Sequence, residues 1–284
     1  MKKMVDYSIF SKLKFGVIIR SIEERTEKLC YESCLQVMPE SNIHIIKNLY
    51  PSYKAHDKTF QIGIENRYDW YLALDADIIP LPDWLDIIAK KIEKLKNSNF
   101  FTFSHAVYDK FLGKVDRGNH CYNGKYGIQA REVIKHFARK QLKPEAAIKH
   151  YMQDISSCHF PEKLFGYHSF EQYYKDIYYQ FWNRQRRRPP TELKNIFLNQ
   201  CEKCRSFDND YEVALMGWNS FRLKDRILSK YFPKQSLPLK DFHEKIKKNL
   251  MQSGITEKGA CELSYESFLK KYSLPIQSCH DTTE

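Results

Sequence analysis

The chain has 284 residues and a formal net charge of +11, enough length for one large domain or one domain with an appendage. With 42% hydrophobic and 14% aromatic residues it is not a disordered tail, and it holds no apolar stretch of about 18 residues that would cross a membrane. The positive balance calls for an anionic partner: nucleic acid, nucleotide phosphate or an acidic membrane surface. Residues 1–14 lack the apolar core of a secretory leader, so a cytoplasmic chain is expected. The eight irregularly spaced cysteines then read as reduced, partly buried thiols. Cys201 and Cys204 form one CxxC, and no second pair completes the ligand set of a structural zinc. Cys30 and Cys34 fall on a predicted helix.

In chain order, residues 15–19 (FGVII) are small, branched and apolar, as in a buried strand. They run into Arg20-Ser21-Ile22-Glu23. A helix capped by Ser21 or Thr26 follows, with Leu29, Cys30, Cys34 and Leu35 on one face and Pro39 at its end. Residues 42–46 form a second strand, 56–66 a second helix and 71–74 a third strand. This alternation predicts a parallel sheet built of right-handed crossovers. Residues 83–95 are an amphipathic helix and 100–107 a strand. Residues 108–127, punctuated by Gly113, Gly118, Asn119, Asn123, Gly124 and Gly127, are expected as a loop or hairpin near a ligand. Helices are expected at 130–140 and 145–153, extended or irregular chain at 156–165, and an aromatic-rich helix at 170–183. Arg184, Arg186, Arg187 and Arg188 lead into Pro189-Pro190, the expected boundary between a domain at 1–188 and a mainly helical region at 189–284.

Chemistry concentrates where the third strand stops. The apolar run Tyr71-Leu72-Ala73-Leu74 delivers Asp75 and Asp77 one residue apart, and Pro80, which lacks an N–H for a ladder, ends the strand. Ligands of open α/β sheets bind outside the carboxyl ends of strands. Two acids there call for a positive partner, and a hard divalent cation sharing phosphate oxygens fits. The turn after the first strand lies beside that end. Glu145 follows Pro144 at a helix start, where the helix dipole alone would also favour an acid. His168 follows the Phe165-Gly166-Tyr167 run, with His159 as its rival.

This ordered set resembles the GT-A fold glycosyltransferases, most closely the large bacterial inverting family that uses nucleotide sugars (family 2-like). In that family a first strand ends in a nucleotide-contacting turn, here residues 17–23. A later strand ends in a DxD motif, here Asp75-Ala76-Asp77. An acid then opens a helix and a histidine follows; Glu145 and His168 stand 23 residues apart. The resemblance covers residues 15–185. It implies an α/β GT-A fold, Rossmann-like, with a mostly parallel central sheet flanked by helices and a mainly helical C-terminal extension.

The same resemblance assigns roles. A divalent metal, Mn or Mg, would be held by Asp75, Asp77 and His168, with Asp75 also reaching the nucleotide. Arg20, Ser21 and Glu23 would contact the nucleotide. Asn123 and Lys125 would touch donor sugar or diphosphate, although Asn123-Gly124 is also an ordinary turn pair. Glu145, or else Asp154, would be the base for an inverting transfer. The chain departs from the family in having Pro-Glu-Ala where Glu-Asp is usual, and Arg20 where proline is common. The implied partners are a nucleoside-diphosphate sugar and a glycan or lipid-linked acceptor of the surface-polysaccharide or lipopolysaccharide type. The four arginines would supply a peripheral contact with acidic membrane, or are simply a solvated helix end.

Two other classes compete. Haloacid-dehalogenase-type phosphatases also place Asp-x-Asp after a strand, but near the N-terminus and with a later acidic pair that this chain lacks. A basic nucleic-acid-binding protein is allowed by charge and aromatics. No helix-turn-helix, RNA-recognition or zinc-finger signature accompanies them, so no specific nucleic acid is expected.

Overall fold

The computed structural model describes residues 12–95, 99–136, 144–152, 156–221 and 239–272, with backbone alone at 145–147, 149, 156–162 and 239–243. The protein is α/β, and its strands form one seven-stranded sheet in the order β2-β1-β3-β6-β5-β7-β4. The chain falls into two compact units. One holds residues up to Tyr108, then Val115–His168 and the segment from Glu262; the other holds Asp109–Lys114 and Ser169–Cys261. The division at His168/Ser169 precedes the boundary expected at Arg188, so the arginine-rich helix belongs wholly to the second unit.

The first half of the sheet follows from the sequence. β1 (Phe15–Ser21) lies between β2 (Ile43–Lys47) and β3 (Trp70–Asp75), parallel to both. Helices α1 (Glu27–Leu35) and α2 (Ser52–Glu65) make the crossovers. Residues Trp70 to Leu74 are buried throughout, as an apolar run covered on both faces should be. Along β3, Tyr71 and Ala73 join a core with Phe60 of α2, Phe101, Tyr122 and Ile134. The Phe60 ring packs edge-on to Tyr122 at a centroid distance of 4.9 Å.

Beyond β3 the sheet is mixed, with antiparallel pairings at β3/β6 and at β4/β7 added to the parallel half. β6 (Lys114–Asn123) pairs antiparallel with β3, from Trp70↔Asn123 to Ala73↔His120. It returns from β5 (Phe100–Asp109) through a short hairpin tip. The Gly- and Asn-punctuated stretch therefore supplies a central strand, buried at Asn119, Cys121 and Tyr122 and solvated near its start. Helices α3 (Trp84–Leu95) and α5 (Pro144–Tyr151) lie close to where periodicity puts them, whereas α4 (Gly127–His136) begins at Gly127, within the stretch read as a loop, and residues 137–140 of the expected helix lie outside the described residues. The stretch after residue 156 is a full strand, β7 (Ser156–His168).

Pro80 does not end β3. That strand stops at Asp75, the chain turns at Ala76-Asp77, and Ile78–Pro80 forms a second short strand, β4, antiparallel to β7. Proline is tolerated there because β4 is the last strand of the sheet order and needs no donor on its outer side. Gly166 faces Pro80 so closely that a Cβ would stand 2.5 Å from the Ile79 carbonyl oxygen, which only glycine avoids.

In the second unit, α6 (Tyr174–Arg186), α7 (Thr191–Cys204), α8 (Asn209–Ser220) and the helix Leu239–Gln252 enclose an aromatic core of Phe111, Phe181, Phe197 and Trp218. Cys201 and Cys204 are buried in it as thiols, and burial pushes Cys201 up to about 12. The arginine run is not one exposed patch. Arg184 reaches buried Asp109 at 3.2 Å and lies over the Phe181 ring, and Arg186 lies over Trp182, whereas Arg187 and Arg188 are exposed.

Candidate active site

The site forms at the carboxyl end of β3, where the backbone of Asp75-Ala76-Asp77 is clamped at successive groups. Asp75 N donates to Asn119 Oδ1 at 3.3 Å, and Ala76 N donates to the Arg20 carbonyl at 3.0 Å. The Thr26 hydroxyl donates to the Ala76 carbonyl at 2.8 Å. Thr26 stands at the N-cap position of α1 but makes no cap hydrogen bond, because its hydroxyl is spent on this turn. Ala76 is fully buried, so strands and helix fix the main chain and leave the two carboxylates as its polar output.

The two carboxylates take different partners. Arg20 lies directly opposite Asp75 in the parallel register, and its Nε and Nη2 reach Asp75 Oδ1 at 2.9 and 2.8 Å. Its Nη1 stands 2.9 Å from Nδ1 of buried His56. Asp77 Oδ2 faces His168 Nε2 at 3.2 Å. The pairing of β4 with β7 sets this contact, since Ile78, next to Asp77, lies opposite His168. Residues i and i+2 share a face only while a strand continues. The turn at Ala76 breaks that alternation, so Asp75 is neutralised by Arg20 rather than held jointly with Asp77.

Asp77 is the less satisfied of the pair. Its Oδ1 is buried and finds no hydrogen-bond donor among the described residues. Glu24 lies near it: burial, and then the charge of Asp77, push the Glu24 carboxyl up to about 7. Ser21 Oγ and the Ile22 amide donate to Glu24 Oε2 at 2.9 and 2.6 Å. Asn119 adds a buried Nδ2 with no acceptor among the described residues.

The other expected residues fall in several places. Ser21 is buried and serves the turn, accepting from the Glu23 amide at 3.0 Å. Glu23 sits at φ 66°, and its Oε1 accepts from Asn48 Nδ2 at 2.7 Å. These contacts shape the loop after β1, whereas direct nucleotide contact was expected of both. Asn123 and Lys125 are not brought to the site. Asn123 lies opposite Trp70, at the start of β3, roughly 17 Å of strand from Asp75. Its side chain donates to the Phe100 carbonyl and accepts from the Lys125 amide, so it builds a turn. Glu145 is the second residue of α5, and its side chain, like that of His159, lies outside the described residues, as does Asp154 altogether.

Among the described residues, no group of three or more His, Cys, Asp or Glu is arranged to hold a metal ion. The chemistry present nevertheless suits a divalent cation at Asp77 and His168. A buried carboxylate oxygen lacks a donor, and an imidazole nitrogen and a second acid lie beside it. Asp75, with its charge met by Arg20, does not fit as a direct ligand in this arrangement.

Glu24, Thr26 and Asn119 are the site residues that sequence reasoning missed. Thr26 carried a cap signal and Asn119 sat in a stretch flagged for a ligand. Both roles depend on pairings between strands far apart in sequence.

No family model and no curated protein matches the sequence. Among solved structures, the chain is similar to a glycosyltransferase involved in glycosylation of the major capsid of PBCV-1, at 10% identity over 55% of this chain and 94% of that one, with a TM-score of 0.40. It is also similar to S. aureus TarS 1-349 in complex with UDP, at 11% identity over 85% and 92%, TM-score 0.38. A third match is 4-diphosphocytidyl-2C-methyl-D-erythritol synthase from Anaerococcus prevotii, at 8% identity over 58% and 92%, TM-score 0.39. Likeness at this level carries no argument about function, which rests on the residues themselves.

Proposed function

We propose that the protein is a metal-dependent glycosyltransferase of GT-A type that moves a sugar from a nucleoside-diphosphate donor to a hydroxyl of a glycan or lipid-linked acceptor. The observation that carries this reading is the clamped Asp75-Ala76-Asp77 turn, which holds a buried, unmet Asp77 oxygen beside His168 at a strand end. Such a turn has little structural reason to hold that oxygen without a donor, because a buried carboxylate oxygen left unmet costs folding free energy.

In this reading Asp77 and His168 hold a Mn or Mg ion. When bound, that ion offsets the negative charge that grows on the departing diphosphate. Arg20 pairs with Asp75 and orients it at the rim, where its exposed side chain is available to a nucleotide ribose. Glu24, whose carboxyl is pushed up to about 7 by burial and then by the Asp77 charge, lies beside the pair. Glu145 is the proposed base that takes the proton of the acceptor hydroxyl, giving inversion. Exposed Arg187 and Arg188 supply the proposed contact with acidic lipid at a membrane face.

The test is thermal stabilisation by UDP, GDP and CDP, each with and without manganese. A ligand at 100 times its dissociation constant adds about 2.7 kcal/mol. Stabilisation by one diphosphate that requires manganese, and that Asp77→Asn abolishes, is the expected result. A chain that no diphosphate stabilises at any manganese concentration would remove the reading.

A further inference from the structure

Asp77 and His168 sit at the ends of two strands that pair over only three residues, Ile78↔His168, Ile79↔Tyr167 and Pro80↔Gly166. A three-residue edge strand supplies little fixity of its own. The last described helix, Tyr265–Tyr272, is built onto these same residues. Tyr265 is buried, and its hydroxyl donates to the Pro80 carbonyl at 2.7 Å. From β7, the Tyr167 hydroxyl donates to the Tyr272 carbonyl at 3.1 Å. Between these ties Phe268 is fully buried, its ring 5.9 Å from Tyr167 and 4.8 Å from Tyr272. The helix thus ties β4 through Pro80 and β7 through Tyr167, each within three residues of a side chain of the site.

We infer that the helix Tyr265–Tyr272 is a clamp that holds Asp77 and His168 at cation-binding distance, with Tyr265 as its positioning residue. The physical reason is lever arm. Pro80 has no N–H to give to a ladder, and its carbonyl takes its donor from Tyr265, so that hydroxyl fixes β4 at its far end. Leu81 N donates to the Phe165 carbonyl at 2.8 Å just past that end, so loss of the Tyr265 bond loosens β4 without detaching it, and the carboxylate then samples orientations that turn away from His168. A fixed pair of ligands binds a cation more tightly than a mobile pair, because less freedom is lost on binding. The inference rests on the reading of Asp77 and His168 as a cation site.

The experiment compares wild type with Tyr265→Phe, which removes one oxygen and keeps the packing, and with Tyr167→Phe, which removes the second tie. Two quantities are read: the affinity for manganese alone, and hydrogen exchange at the amides of β4 and at residues 166–168. The clamp predicts that Tyr265→Phe weakens manganese binding about fivefold, the scale of one hydrogen bond. It also predicts exchange about tenfold faster at β4 and β7, with β1 to β3 unchanged. Tyr167→Phe should act in the same direction. Unchanged manganese affinity with unchanged local exchange overturns the clamp. So does a uniform rise in exchange across the sheet, which marks a general loss of stability. If wild type binds no manganese, the cation reading falls. The exchange arm then still decides whether the helix holds β4, because it needs no ligand.

Discussion

The protein contains two Asp-x-Asp sequences, and their surroundings could hardly differ more. In the second unit, Asp208-Asn209-Asp210 opens α8. Asp208 Oδ1 accepts from the Asp210 amide at 2.9 Å as a helix cap. Buried Lys110 reaches Asp210 Oδ2 at 2.5 Å and Asp208 Oδ2 at 2.7 Å, and Lys258 closes on Asp210 Oδ1. Burial opposes the Lys110 charge, but Asp210 and Asp208 outweigh it and raise the ammonium above its ordinary value. Every carboxylate there has its cation inside the fold. In the first unit, Asp75 has Arg20 and one Asp77 oxygen faces His168, but the other Asp77 oxygen is buried and met by no described residue, with the Glu24 carboxyl nearby. The same three-residue pattern is a staple where the chain supplies the counter-charge and, in the function proposed above, a binding site where it does not.

The comparison breaks most readily at the staple. Lys110→Ala strands Asp210 in the core, and breaking a buried pair this way costs about 3–5 kcal/mol. Urea unfolding should therefore show a strongly destabilised protein, and a loss below 1 kcal/mol would mean that Lys258 alone satisfies the cluster.

At the site the sign is reversed. The folded Glu24 carboxyl titrates near 7 against an unfolded value of 4.5, so the stability it contributes is complete below about pH 4.5 and is lost as pH rises through 7. Relative to wild type, Glu24→Gln should gain stability over that window, on the order of 3 kcal/mol at its upper end. Parallel pH–stability curves for the two proteins would show that the strain lies elsewhere.

Asp77→Asn should leave the melting temperature of the ligand-free protein unchanged or slightly raised. It should cost roughly 100-fold or more in transfer from the accepted nucleotide sugar, the scale set by removing one charge-stabilising group. Retained turnover would move the chemistry away from this turn. The smallest expected effect is that of Thr26→Val, which removes the hydroxyl on the Ala76 carbonyl and should cost about 1 kcal/mol in thermal unfolding. An equal loss from Thr26→Ser would indicate that packing, not the hydrogen bond, holds the turn.

Much of this was legible in one dimension. The run Tyr71-Leu72-Ala73-Leu74 declared a strand covered on both faces, and the first two strands and the amphipathic α3 declared themselves by local periodicity. The thiols of Cys30, Cys34, Cys201 and Cys204 are buried as their irregular spacing implied. These features depend on neighbours within a few residues, and local pattern is what a sequence displays.

Tertiary structure alone decided the rest. Lys114–Asn123 is solvated at one end and buried at the other, so it shows no clean alternation, and only its insertion between β3 and β5 makes it a central strand. That insertion placed Asn119 beside Asp75 and carried Asn123 to the far end of β3. The halt of β3 at Asp75 sent the two aspartates to different partners, one set by the register of β1 and the other by β4 on β7. Which charge finds a partner is a property of pairings across tens of residues. A pair of carboxylates one residue apart states that a counter-charge is needed, and only the fold determines whether the chain provides it.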